Sequence, residues 1–202
     1  MQLDVLFIRH AHTYWNAKNN IDYSWANDAL DSLWLLQIPH LQEKLASHIQ
    51  SLIEGDAREV VVHRSDTNRT RQTLELTLSE LSKSIWVIFT LQEPHDALWE
   101  IDMGLLADTP FSKAEFRKLL AATHERFPNG ESPKDVGVRM HEYVSQLDPS
   151  KLHIICSHGI AIQSGIQEIK RNYNETLPIW PSSVIHLRLR HALDPEITIV
   201  HK

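Results

Sequence analysis

The fold is indicated first by a short apolar run that leads directly into a polar turn, His153-Ile154-Ile155-Cys156-Ser157-His158-Gly159. A short apolar run without alternation is typical of a strand that is buried on both faces of a sheet. The residues from Gly159 to Ile169 are predicted to form a helix, so the strand passes into a helix with almost no loop. The sequence therefore predicts a strand whose carboxyl end presents Ser157 and His158.

Strands and helices alternate along the rest of the chain. The further predicted strands are Val5–Ile8, Val60–Val62, Trp86–Phe89, Val184–Leu189 and Ile197–Val200. The further predicted helices are Leu41–Ile53, Thr70–Leu81 and the segment that follows a capping serine at Ser132. This order predicts an α/β protein with three layers, α/β/α, around a mostly parallel mixed sheet. The alternation of apolar and polar residues in Val184–Leu189 is typical of an edge strand or a half-exposed one.

The composition argues against several classes of protein. The chain has 202 residues, a formal net charge of −6 and one cysteine. One cysteine cannot form an internal disulfide or a zinc site made of several thiolates. No apolar run is long enough to span a bilayer, and the first residues do not resemble a signal peptide. A negative chain is also a poor general binder of nucleic acid, so we expect a cytoplasmic protein without nucleic-acid or membrane partners.

The length suits one domain that covers residues 1–202. Two segments lack clear periodicity, about residues 19–38 and 104–130, and we expect them to form lid-like excursions over one end of the sheet. Pro39 is expected to interrupt any helix that forms at the end of the first segment.

Ligands of such folds bind beyond the carboxyl ends of the strands. Arg9 and His10 follow the first strand, Arg69 lies in the loop that opens the helix after the second, and His158 follows the fourth. A neutral imidazole is a good nucleophile towards phosphorus, and the planar fork of arginine binds two phosphate oxygens at once. A carboxyl group such as Glu100 can supply the proton that a leaving alcohol needs. The pattern favours phosphoryl chemistry.

The same residues resemble the signatures of the histidine phosphatase superfamily, which includes the phosphoglycerate mutases. The family pattern Arg-His-Gly-Glu-Thr is similar to Arg9-His10-Ala11-His12-Thr13, and the resemblance continues in the same order through the chain. The blocks that carry it are Leu6–Asn16, Ser65–Thr73, Leu98–Gly104, Pro128–Ser132 and Ile155–Gly159. The resemblance implies a fold like that of phosphoglycerate mutase.

It also implies the roles of the site residues. His10 would be the phosphorylated nucleophile, and Glu100 the general acid and then the general base. Arg9, Asn16, Arg69 and His158 are implied in binding the phosphate, and we expect His12 and Gly159 to be further substrate contacts. No metal or organic cofactor is implied.

The chain departs from the family pattern at two positions beside the nucleophile. Ala11 replaces the usual glycine, so the loop loses a residue that tolerates positive φ, and His12 replaces the usual glutamate. The segment after Glu100 resembles that of the smaller phosphatases of the family. We therefore expect a phosphatase that hydrolyses a small phosphorylated metabolite, with phosphoglycerate mutase-type transfer as the alternative.

Two further readings remain open. His10-Ala11-His12 after a first strand also resembles the metal-binding opening of amidohydrolases, with His63, His95 and His158 as further candidate ligands. Against this reading, an eightfold barrel typically needs about 250 residues. The other reading is a catalytically silent domain that binds a phosphorylated ligand, and the replacement at Ala11 is its main motivation.

Overall fold

The computed structural model describes residues 2–13, 29–53, 59–107, 115, 118, 120–190 and 195–201. Within these residues six strands form one sheet in the order β3-β2-β4-β1-β5-β6. The strands are β1 (Leu3–Arg9), β2 (Glu59–Arg64), β3 (Ile88–Leu91), β4 (Leu152–Ser157), β5 (Val184–Leu189) and β6 (Pro195–His201). The helices are α1 (Trp34–Leu52), α2 (Asn68–Ser84), α3 (Pro133–Ser145) and α4 (Gly159–Lys170).

The sheet is parallel in its first four strands and antiparallel in its last two. Strand β4 lies between β1 and β2 and runs parallel to both, with Ile8 opposite Cys156 and Val62 opposite Ile154. Strands β5 and β6 run antiparallel to their neighbours. The mixed, mostly parallel sheet confirms the predicted fold class.

An apolar core lies on each face of the sheet. On one face α1 and α2 bury leucine and isoleucine side chains such as Leu41, Leu45 and Leu74. On the other face α3 and α4 bury residues such as Met140 and Ile166. Packing on each face removes apolar surface from water, which stabilises the fold by about 25 cal/mol for each Å² buried. The sheet and the helices on its two faces form the three layers.

Helix α1 begins earlier than the sequence predicts and continues through Pro39. The expectation that Pro39 interrupts it is wrong, because the helix loses one backbone hydrogen bond there but buries Ile38, Leu41 and Leu45. Residues 34–38 of the predicted 19–38 excursion are therefore helical. Residues 14–28 lie outside the described residues.

Two strands differ in place from the prediction. Strand β3 starts at Ile88 and lies at an edge of the described sheet. Trp86 is 95% exposed there and Ile88 64%. The prediction from the apolar run failed because such a run does not reveal how many neighbours a strand has. Strand β5 is not an edge strand, since it lies between β1 and β6. The polar residues of its alternation are His186, which is buried and donates from Nε2 to Oδ1 of Asp4 at 2.8 Å, and Arg188, which donates from Nε to the same oxygen at 2.8 Å.

The helix after Ser132 forms as predicted. The Ser132 side chain accepts a hydrogen bond from the backbone N–H of Asp135, whose carboxylate accepts from the Ser132 N–H in return. This capping box stabilises the start of α3. None of the described helices is both long and apolar enough to cross a membrane.

Candidate active site

The carboxyl ends of β1 and β4 bring two histidines together. The backbone N–H of His10 donates to the carbonyl of Ser157 at 3.0 Å, so the two strand ends are joined directly. The imidazole rings of His10 and His158 lie 5.3 Å apart between centroids and meet edge to face. Both rings are buried. The two histidines thus lie where ligands bind in such folds, beyond the carboxyl ends of parallel strands.

The protonation of the His10 ring is fixed by its neighbour. Nδ1 of His10 lies 2.8 Å from the backbone carbonyl of Ala11. A carbonyl oxygen only accepts, so Nδ1 carries the hydrogen and the neutral ring has its lone pair on Nε2. This is the form of imidazole that attacks an electrophile.

His158 is held in the opposite tautomer. Nε of Arg69 donates to Nδ1 of His158 at 3.1 Å, so the hydrogen of the neutral His158 ring is on Nε2. That Nε2–H donates to the hydroxyl of Ser65 at 2.8 Å, and the same hydroxyl lies 3.1 Å from Oγ1 of Thr70. The start of α2 therefore orients the second histidine.

Both imidazoles are held neutral by their surroundings. Burial lowers the pKa of His10 well below its usual value, and the guanidinium groups of Arg69 and Arg9 lower it further. Burial also lowers the pKa of His158, with Arg69 as the next largest cause. Desolvation and nearby positive charge both disfavour an imidazolium. The site thus combines neutral histidines with permanently charged arginines.

Arg69 is placed by the first turn of α2. The turn begins at Thr67, whose side chain accepts from the N–H of Thr70. One turn further on, the Thr73 hydroxyl donates to the Arg69 carbonyl at 2.7 Å and accepts from the Ala11 N–H at 2.9 Å. Thr73 therefore links the backbone next to His10 to the helix that carries Arg69.

Arg9 enters the site beside the start of α4. Its Nη1 donates to the carbonyl of Ile179 at 2.8 Å. A Cβ atom on Gly159 would lie only 3.2 to 3.3 Å from three atoms of the Arg9 side chain. The absence of a side chain at Gly159 therefore lets the guanidinium approach the helix terminus closely.

Glu100 is buried beside the first turn of α4, the helix that begins directly after His158. Its Oε1 accepts from the N–H of Ala161 at 2.9 Å and of Ile101 at 3.1 Å, and its Oε2 accepts from the N–H of Ile160 at 3.2 Å. Backbone donors at a helix N-terminus stabilise a negative carboxylate. The structure brings Glu100 to the site, and it adds an interaction with α4 that the sequence does not predict.

The other predicted residues of the loop after β1 are His12 and Asn16, and Ala11 lies beside them in the sequence. Nδ1 of His12 lies 2.7 Å from Oδ2 of Asp31, and the His12 backbone N–H donates to Oε1 of Gln37 at 2.8 Å. Asn16 lies outside the described residues, so its role remains a prediction. Ala11 does not adopt positive φ and is buried in the core. The conformational reason for a glycine at that position does not apply here.

The other histidines proposed as metal ligands lie elsewhere. Nδ1 of His63 accepts from the hydroxyl of Tyr143 at 2.8 Å, and its Nε2 donates to Nδ1 of His153 at 2.9 Å. Burial, and then the neighbouring His153 and His95, lower the pKa of His63 to about 4. Among the described residues no group of three or more histidine, cysteine or acidic side chains is arranged to hold a metal ion.

Two features of the site were missed by the sequence analysis. The sequence analysis gives Ser65 no role. Its place in the same block as Arg69, shortly before that arginine, was the available signal that it lies at the site. The pair Glu131 and Arg139 was also missed. Arg139 donates to the backbone carbonyl of Glu100 at 3.2 Å and pairs with Glu131 through two hydrogen bonds, of 2.7 and 3.0 Å. No local pattern signals this contact.

A family model, the histidine phosphatase superfamily (branch 1), matches residues 5–191 of the chain. The chain belongs to this superfamily. The family assignment predicted from the five blocks is thereby confirmed.

The similarity of the chain to individual proteins is more distant. It is 26% identical over 200 residues to a probable phosphoglycerate mutase, GpmB, of Salmonella typhi, which covers 92% of this chain and 81% of that protein. Its fold is similar to that of a mycobacterial glucosyl-3-phosphoglycerate phosphatase, with a TM-score of 0.71, 14% identity and 98% of each chain covered. It is also similar to the phosphoglycerate mutase of Bacillus anthracis, with a TM-score of 0.66, 14% identity, and coverage of 100% of this chain and 92% of that one.

Proposed function

We propose that this histidine phosphatase hydrolyses a small-molecule phosphomonoester through a phosphohistidine formed on His10. One observation carries the proposal: a buried, neutral His10 has its free lone pair on Nε2 and lies among Arg9, Arg69 and His158. A nucleophile without charge can approach a phosphate dianion more easily than an anion can, and the two arginines offset the charge of the phosphate oxygens.

The first step transfers the phosphoryl group to the protein. Nε2 of His10 bonds to phosphorus while the bond from phosphorus to the ester oxygen breaks, and the leaving oxygen takes a proton from Glu100. Oε1 and Oε2 of Glu100 accept from the N–H groups of Ala161 and Ile160, which place the carboxyl group at the start of α4, next to His158. His158 and Arg69 bind the phosphate oxygens and position phosphorus in line with Nε2.

The second step releases phosphate. The Glu100 carboxylate takes a proton from water, the water oxygen bonds to phosphorus, and the bond between phosphorus and Nε2 breaks. Inorganic phosphate leaves, and His10 returns to its neutral form with Nδ1 still donating to Ala11. The chemistry uses protein groups alone, so we propose no metal or cofactor.

Two observations bear on the choice between hydrolysis and transfer. The similar mycobacterial fold is that of a phosphatase, and the segment after Glu100 is short, like that of the smaller phosphatases of the family. The relative with 26% identity is named a probable phosphoglycerate mutase, which favours transfer between phosphoglycerates as the second candidate. His12 and Asn16 remain proposed substrate contacts in either case.

The test is a screen of phosphorylated metabolites that measures phosphate release by wild-type protein, His10→Ala and the control His40→Ala, which changes an exposed histidine on α1. We expect release and acid-labile phosphate on the protein with wild type and His40→Ala, and neither with His10→Ala. Vanadate binding without turnover of any substrate would favour the silent domain. Loss of activity in excess chelator would favour the metal-dependent reading. Interconversion of phosphoglycerates faster than hydrolysis would favour the mutase.

A further inference from the structure

The segment that carries Glu100 is held from outside the site by two charged side chains. Arg139, on α3, donates from Nη1 to the carbonyl of Ala97 at 2.7 Å and from Nη2 to the carbonyl of Glu100 at 3.2 Å. Glu131 accepts at Oε2 from the N–H of Asp102 at 3.0 Å, and its own N–H donates to the Asp102 carbonyl at 2.8 Å. The backbone is thus fixed on both sides of Glu100.

The two side chains also bind each other. Nε and Nη2 of Arg139 donate to the two carboxylate oxygens of Glu131 at 2.7 and 3.0 Å. The pair is mostly buried, with 20% of the Arg139 side chain and 25% of the Glu131 side chain exposed. Two parallel hydrogen bonds give this kind of pair a defined geometry.

Two glycines allow the backbone around Glu131 to approach the segment this closely. Gly104 has φ of 53°, and a Cβ atom there would lie 2.2 Å from the carbonyl oxygen of Pro128. A Cβ atom on Gly130 would lie 2.4 Å from the carbonyl oxygen of Asp102. Neither position has room for a side chain, so backbone meets backbone beside the charged pair.

We infer that Glu131 and Arg139 are positioning residues that place the Glu100 carboxylate for proton transfer. The inference rests on the proposed function of Glu100. The Glu100 side chain contacts the N-terminus of α4, next to His158, while its backbone is held by α3. The pair therefore links α3 to Glu100, the proposed proton donor, and acts on it through the backbone rather than through the substrate.

We expect arginine to be required at position 139 because Nε, Nη1 and Nη2 of its guanidinium all donate hydrogen bonds. Its guanidinium bridges a carboxylate and two carbonyl groups that lie in different directions. A lysine has three donors on one atom and cannot span these acceptors. Arg139→Lys therefore keeps the charge and loses the bridge.

The first experiment compares steady-state rates of Arg139→Lys and Glu131→Gln with those of Arg126→Lys. Arg126 forms an exposed ion pair with Asp135 at 2.7 Å and serves as the matched control. We expect kcat to fall roughly 10- to 100-fold in the first two variants with KM changed less than about threefold, because a small misplacement of a reacting group has an effect of that size. The control should retain the wild-type rate.

A double-mutant cycle separates positioning from general destabilisation. In a Glu100→Gln background, Arg139→Lys should lower kcat by less than about twofold, because its effect passes through a carboxyl group that is already absent. An equal loss in both backgrounds would overturn the inference. His10→Ala tests the proposed function separately. If this variant kept its activity, the role of His10 as nucleophile would be refuted, whereas the positioning role of Glu131 and Arg139 would not be.

A chemical rescue uses the surface groove beside the pair. Arg139 and Glu131 line a groove of about 600 Å³, so a small cation can enter the space that Arg139→Ala creates. Methylguanidinium should restore kcat in Arg139→Ala by about tenfold or more, whereas methylammonium, which lacks the planar fork, should not. Equal rescue by both cations would show that charge alone is needed and would contradict the proposed positioning.

Hydrogen exchange gives a readout that does not require turnover. The amides of Ile160 and Ala161 donate to the Glu100 carboxylate, whereas Ile166 lies further along the same helix. In Arg139→Lys we expect the first two amides to exchange about tenfold faster than in wild type, with the exchange of Ile166 unchanged. Unchanged protection at all three positions in a folded variant would refute the inference even if no substrate had been found.

Discussion

Nε of Arg69 donates to Nδ1 of His158 over 3.1 Å, and this contact decides what the second histidine can donate. With Nδ1 occupied as an acceptor, the neutral ring offers only its Nε2–H, which the Ser65 hydroxyl already accepts. Arg69, which we propose binds the phosphate, therefore also sets the tautomer of its neighbour. On the proposed mechanism, a phosphate oxygen that accepts from His158 must compete with the Ser65 hydroxyl for the Nε2–H.

Replacing Arg69 by lysine should impair catalysis more than the loss of one charge would suggest. Arg69→Lys retains a cation but has no rigid fork to bind a phosphate oxygen and His158 at once. We expect kcat/KM to fall by about 100-fold or more, which is a size typical for removing one well-placed donor.

The matched control is Arg71→Lys, on the same helix. Arg71 forms an exposed pair with Glu75 at 2.9 Å, and its replacement should change kcat/KM by less than about twofold. Similar losses in the two variants would contradict the role given to Arg69.

His10, the proposed nucleophile, should remain neutral into acid. Because burial and Arg69 lower the pKa of His10 below its ordinary 6.5, the ring stays neutral, and Nε2 keeps its lone pair, at pH values where a free histidine is protonated. NMR titration of labelled histidine should therefore place the protonation of His10 below pH 6.5. In Arg69→Gln it should move to higher pH, and in Arg71→Gln it should not. A His10 titration at 6.5 or above in wild type would refute this.

Ala11→Gly should lower stability without improving catalysis. The residue has no positive φ and its methyl group is buried in the core, so glycine removes packing and adds freedom to the unfolded chain. We expect a loss of about 1 to 2 kcal/mol, which corresponds to a fall in Tm of roughly 2 to 8 °C in a protein of this size. Phosphatase rates should stay within about threefold of wild type. A large gain in rate would show that Ala11 limits the site.

His63 should make the protein less stable in acid. Its pKa is about 4 in the folded protein, below the ordinary 6.5, so the unfolded chain binds a proton first as the pH falls. The stability contributed by the neutral ring is complete above pH 6.5 and is lost between pH 6.5 and 4, by up to about 3 kcal/mol.

The measurement is urea unfolding of wild type and His63→Gln at several pH values. Glutamine retains a donor for His153 and an acceptor for Tyr143 but does not titrate in this range. Between pH 6.5 and 4 the free energy of unfolding should fall more steeply in wild type. Parallel curves would show that another group is responsible.

Much of the site could be predicted because its residues follow strand ends. Arg9 is the last residue of β1, His10 and His158 come directly after β1 and β4, and the carboxyl ends of neighbouring parallel strands necessarily meet. The fold class follows from the same local signals. Glu100 was identified through a block of sequence, but its contact with the start of α4 depends on tertiary packing.

The features that could not be predicted depend on partners far away in sequence. Arg139 reaches the carbonyls of Ala97 and Glu100 only because α3 packs beside that segment. Similarly, the apolar pattern around Trp86 does not show that β3 has a neighbour on one side only. Pro39 lies inside α1 because the burial of the apolar face of that helix outweighs the unfavourable local propensity of proline.

The hydrogen bond from Nδ1 of His10 to the Ala11 carbonyl has a chemical consequence beyond orientation. On the proposed mechanism the ring nitrogen that bears hydrogen cannot accept phosphorus, so the covalent intermediate has a single regiochemistry. It is the τ isomer of phosphohistidine, with phosphorus on the nitrogen remote from the backbone, and the π isomer is not accessible. One backbone carbonyl thus selects between two constitutional isomers of the same modified residue.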